Sequence, residues 1–163
     1  ANEKLAGSFT FVATAGHEIG HGGMEIFLKH GAPPPQDTLA WLHFGASNAC
    51  YAFTEGPQGF VRTDRTDEAR FLVLSPSTLP LADETLSAFQ AQRLVADKQA
   101  VGELRDVKAA GYRNFFGITG LNRFFHTPAD ELRATGPEIL EPVARAFADA
   151  VRKISERGEQ AFK

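Results

Sequence analysis

Cysteine is almost absent from this 163-residue chain, Cys50 being the only one. A disulfide framework within the chain is therefore excluded. Long apolar runs are also missing. No stretch approaches the roughly 20 residues that a membrane-spanning helix needs. Basic clusters are absent too, and the formal net charge is -3. That leaves nothing resembling the electrostatic footprint of a nucleic-acid-binding protein. No internal repeat, low-complexity tract or signal-peptide pattern is visible. The chain starts at Ala1 rather than Met, which points to processing or an artificial start and leaves the compartment open. What is present suits one globular domain over residues 1–163, because 43% hydrophobic residues suffice for a core of its own. The 14 phenylalanines are scattered, as packing residues are.

Punctuation by glycine and proline divides the chain into short elements. Ser8 to Ala15 is rich in β-branched and aromatic residues and predicts a buried strand. Gly16 to Gly23 is glycine-dense and predicts a turn. Met24 to Lys29 predicts a short helix, ended by Gly31 and by Pro33-Pro34-Pro35. Leu39 to Phe44, Ala49 to Thr54 and Phe71 to Leu74 predict strands, with a loop over Glu55 to Glu68. Asp83 to Asp97 predicts a helix with Asp83 as N-cap. A shorter helix follows over Gly102 to Ala110, capped by Gly111, and Tyr112 to Ile118 predicts a strand. Thr135 and Glu138 have capping-box spacing. Val143, Phe147, Val151 and Ile154 then recur on one helical face, and Pro142 is expected to kink or split that helix. Alternating strands and helices predict a three-layer α/β/α sandwich around a mostly parallel sheet.

The densest chemical signal is Gly16-His17-Glu18-Ile19-Gly20-His21. His17 to His21 spells H-E-x-x-H. On a helix the two imidazoles can share one zinc, and the intervening Glu18 can act as base. The surrounding glycines oppose a helix, since each interior glycine costs about 0.8–1 kcal/mol relative to alanine. The extended form H-E-x-x-H-x-x-G-x-x-H also fails, because Met24 and Phe27 stand at its glycine and final histidine. No convincing downstream glutamate ligand is apparent.

A second reading takes the motif as a strand, a turn and a carboxylate at the strand's C-terminal end, where open α/β sheets bind ligands. Three ordered segments carry it: FVATAGHEIGHGG around Glu18, Trp41-Leu42-His43-Phe44, and Gly117 to Gly120 followed by Phe125-His126-Thr127-Pro128-Ala129-Asp130. Together they resemble the leucyl-aminopeptidase-like di-zinc exopeptidases, metallopeptidase family 28, from about Ser8 to Ile154. The resemblance implies a zinc-dependent hydrolase of peptide or related amide bonds. It implies zinc ligands at Glu18 and His126 for one metal and at His43 for the other. His43 replaces the usual aspartate, and His17 replaces the glutamate that serves as general base. The family's His-x-Asp segment and bridging aspartate precede the Glu-Glu motif. Ala1 to Gly16 contains neither histidine nor aspartate. The resemblance therefore implies the C-terminal part of a larger, N-terminally truncated domain with an incomplete di-zinc site.

Three functions stay open at this point. The first is a metallo-aminopeptidase-like hydrolase with Glu18, His43 and His126 as metal ligands and His17 as base. The second is a single-zinc protease using His17 and His21. The third is a degenerate domain retained for binding or assembly, whose exposed sheet edges would favour a homodimer. His17 and His21 also fit a plainer role as turn residues, His43 fits a satisfied core histidine, and Asp130 fits either a helix start or a brace for a ligand.

Overall fold

In the computed structural model, which describes residues 7–163, helices and strands alternate along most of the chain. The order is α1 (Gly22–His30), β1 (Trp41–Phe44), β2 (Tyr51–Gly56), β3 (Gly59–Thr66), β4 (Arg70–Leu74), α2 (Leu79–Thr85), β5 (Gln92–Val95), α3 (Leu104–Ala109), β6 (Phe115–Gly120) and α4 (Pro137–Arg157). Four strands form the main sheet in the order β1-β6-β4-β5. β1 runs parallel to β6 and β5 parallel to β4, while the central β4–β6 pair is antiparallel. The sheet is thus mostly parallel, as the alternation predicts, with one reversed pairing at its centre.

Side chains of opposite parity along β4 and β6 feed two separate cores, as a period of two requires. Leu72, Leu74, Phe116 and Ile118 join Leu81 and Ala82 of α2 and Val143, Ala146, Phe147 and Ala150 of α4. Val73 and Phe115 join Met24 of α1 and Leu104 and Val107 of α3. Phe116, Ile118 and Val143 are fully buried. Burial of each such side chain contributes about 1.5–3 kcal/mol. Among the described residues no helix is long and apolar enough to cross a membrane.

Four local expectations are corrected. Residues 8–15 join neither sheet, and Phe11 is 95% exposed. A strand is stable only when a neighbour satisfies its backbone groups, and strand-like composition cannot supply that neighbour. Glu55 to Glu68 is not a loop, because most of it forms the β2–β3 hairpin. Its outer strand is polar and exposed, which hid the alternation. The helix expected over Asp83 to Asp97 starts earlier, at Leu79-Pro80, and ends at Thr85. Gln92–Val95 instead pairs with β4, so tertiary pairing overrides the local pattern. Asp83 caps nothing and pairs with Arg93.

The last helix forms as expected but runs unbroken through Pro142. Pro142 lies on the exposed side, where water can satisfy the carbonyl that lost its partner. The capping box does not close. The Thr135 hydroxyl donates to the Leu132 carbonyl at 3.1 Å, and Glu138 accepts from the Tyr51 hydroxyl.

Candidate metal centre

The H-E-x-x-H segment folds as a tight turn. Gly16 and Gly20 have φ of 77° and 90°, a region open to glycine at no steric cost. Between them His17–Ile19 forms a single 3-10 turn. His21 follows at φ 61° and leads into α1. The α-helix that the single-zinc reading requires is therefore absent here. The two imidazoles still converge, stacked with ring centroids 4.9 Å apart.

The start of α3 supplies the partners. His17 Nδ1 lies 2.5 Å from Glu103 Oε1, across 86 positions of sequence. His21 Nδ1 lies 2.6 Å from Asp106 Oδ2, across 85 positions. A carboxylate only accepts, so each ring nitrogen donates its proton. The His43 side chain, on β1, puts Nε2 3.7 Å from Glu103 Oε2, a contact too long for a hydrogen bond. His17, His21 and Glu103 each offer a donor atom, all within 4.8 Å of one another. Among the described residues no other trio of His, Cys, Asp and Glu side chains converges this closely.

Glu18 faces a different partner. Its Oε1 accepts from His126 Nε2 at 2.9 Å, and both side chains are more than half exposed. His126 sits in the loop after β6 at φ 61°. Glu18 and His126, which the resemblance assigns to one metal, are thus in contact. His43, assigned to the other, lies beside Glu103. Asp130 braces the loop instead of a histidine, accepting from the Asn122 side-chain amide at 2.9 Å. His30 is exposed at the end of α1.

The charges of the cluster are unevenly held. The Glu103 hydrogen bond raises the pKa of His17, against the opposing effect of burial, and Glu18 adds to the rise. Burial lowers the pKa of His43, only partly countered by Glu103, and the nearby His17 and His21 push it the same way. For Glu103, burial works upward, but the His17 hydrogen bond, the backbone and the surrounding histidines leave the carboxyl below its usual range. Burial pushes the Cys50 thiol up, which fits a packing residue rather than a nucleophile.

Two imidazoles with a carboxylate form a donor set suited to zinc. At tetrahedral geometry, bond lengths of ~2.0–2.1 Å place ligand atoms about 3.4 Å apart. The 2.5 Å His17–Glu103 contact therefore holds a proton rather than an ion. A metal at the trio must take Nε2 of His17 or the other oxygen of Glu103. Glu18 and His126 would have to separate by about half an ångström to admit one.

Glu103 and Asp106 were missed by sequence reasoning. Acidic residues three apart at a helix start read as ordinary complements to the helix dipole. The available signal was the apolar flank of Glu103, which is only 7% exposed. A carboxylate buried to that degree needs a partner. Comparison with protein-family models, curated proteins and solved structures gave no match.

Proposed function

We propose that this chain is a metal-dependent hydrolase domain acting on peptide or related amide bonds, with zinc as its metal. The observation that carries the reading is the convergence of His17, His21 and Glu103 within 4.8 Å. Glu103 lies 3.7 Å from His43, one residue before the C-terminal end of β1, and that edge of α/β sheets is where ligands gather. The two cores supplied by alternate sheet residues support a three-layer α/β/α frame of the zinc-exopeptidase kind. In this reading His17, His21 and Glu103 hold the ion. Bound zinc supplies Lewis acidity toward a scissile carbonyl and toward water. Glu18 is the proton acceptor, and His126 keeps its carboxylate in place. His43, partly buried, stands beside Glu103 with Nε2 3.7 Å from that carboxylate's second oxygen, at the edge of the cluster.

A second reading keeps Glu18, His126 and His43 as the metal ligands and His17 as the base. The 2.9 Å contact between Glu18 and His126 favours it. Zinc titration of the wild type and of His21→Ala and His126→Ala separates the two. Loss of stoichiometric zinc with His21→Ala alone supports the first reading. Loss with His126→Ala alone supports the second. Absence of zinc uptake by the wild-type chain would leave the non-catalytic binding or assembly domain.

A further inference from the structure

The metal reading leaves Asp106 without a role, and its geometry supplies one. Asp106 Oδ2 accepts from His21 Nδ1 at 2.6 Å. Arg105 stands on the same side. Its Nη2 is 3.5 Å from His21 Nδ1, and its Nε is 4.0 Å from Asp106 Oδ1. A guanidinium only donates and would need an unprotonated Nδ1, whereas a carboxylate only accepts. The 2.6 Å Asp106 contact is far shorter than the 3.5 Å Arg105 approach and decides that Nδ1 carries the proton. The positive charge repels a cation from that nitrogen, and the carboxylate keeps the proton on it. The ring's other nitrogen, Nε2, must then be the unprotonated one in the neutral imidazole.

We propose that Asp106 is a positioning residue that fixes His21 as the Nδ1–H tautomer, so that His21 presents Nε2 to a divalent cation. The inference rests on the metal-site reading above. Glu103 Oε1 holds His17 Nδ1 in the same way at 2.5 Å. Both orienting carboxylates sit at the start of α3, so one short helix sets the faces of both rings. A carboxylate that fixes a ligating histidine strengthens the ligand and limits its rotation. The His21 side chain is 11% exposed, which leaves it little room to turn by itself. Its backbone stands at φ 61°, a conformation disfavoured for a residue with a side chain.

The test combines nitrogen-15 NMR of the histidine rings with zinc affinity measured against a chromophoric chelator. In the metal-free wild type, His21 is expected to show the Nδ1–H tautomer. Asp106→Asn is expected to populate the Nε2–H tautomer and to weaken zinc binding by about 10–100-fold. Asp106→Glu, which keeps a carboxylate, is expected to recover most of the affinity and guards against a folding defect. Wild-type uptake of zinc with unchanged affinity in Asp106→Asn overturns the inference alone. An Nε2–H tautomer in the wild type does the same. Absence of zinc uptake by the wild type overturns the metal reading and this inference with it.

Discussion

Glu18 and His126 stand 108 positions apart in sequence, yet their side chains meet at 2.9 Å. The contact ties the turn before α1 to the loop after β6, on the side of the sheet where the histidines gather. Both partners are exposed, so solvent and salt weaken the pair. A double-mutant cycle with Glu18→Gln and His126→Asn should give a coupling of only ~0.2–1 kcal/mol in metal-free protein. Urea denaturation measures it. A much larger coupling that appears only with added zinc would favour the reading in which these two residues are ligands.

His17 and His43 should titrate on opposite sides of the ordinary value of 6.5. His17 is held up chiefly by its hydrogen bond to Glu103, and His43 is held down chiefly by burial. As pH falls in metal-free protein, His17 gains its proton first and His43 later. Because the folded-state pKa of His17 is raised, its contribution to stability is fully present below 6.5. That contribution is lost as pH rises through the higher folded value. Proton NMR of the ring resonances follows both groups. Glu103→Gln should bring the His17 midpoint down, and an unmoved midpoint would remove Glu103 as the cause.

Gly117 faces His43 in the parallel register of β1 and β6. A methyl group placed on Gly117 would lie 2.6 Å from the His43 carbonyl oxygen and 2.9 Å from its Cβ. Those atoms belong to the strand itself, so they cannot turn aside as a flexible side chain would. Gly117→Ala should destabilise the protein by about 1–3 kcal/mol. It should also shift the His43 ring resonances more than those of His126. Wild-type stability in the urea midpoint of this variant would show that β1 can move outward freely.

Periodicity made the framework legible. The strands near Trp41, Arg70 and Phe115, the helix after Gly22 and the long helix ending at Arg157 follow from apolar spacing and glycine or proline stops. Pairing partners are not written in that spacing. Residues 8–15 have a strand's composition and no paired strand among the described residues, whereas Gln92–Val95 pairs with β4 and has little local signal. The centre was half legible for a related reason. His17, Glu18, His21, His43 and His126 stand out as residue types in glycine- or apolar-rich settings. Glu103 and Asp106 look like ordinary surface acids until α3 packs beside the histidine turn. That packing depends on contacts across more than 80 positions, as in the His17–Glu103 and His21–Asp106 pairs.

His21 and His126 share a left-handed backbone at φ 61°. Glycine adopts that region freely, while a side-chain-bearing residue is disfavoured there by about 1–2 kcal/mol. At these two places the demands of the backbone and of the ring oppose each other. The residue best for folding would be glycine, and the residue present is the one with an imidazole. Stability and chemistry therefore pull apart at both turns. A protein selected in the laboratory for heat resistance alone would be free to lose its histidines there, and would keep its fold while losing both imidazoles.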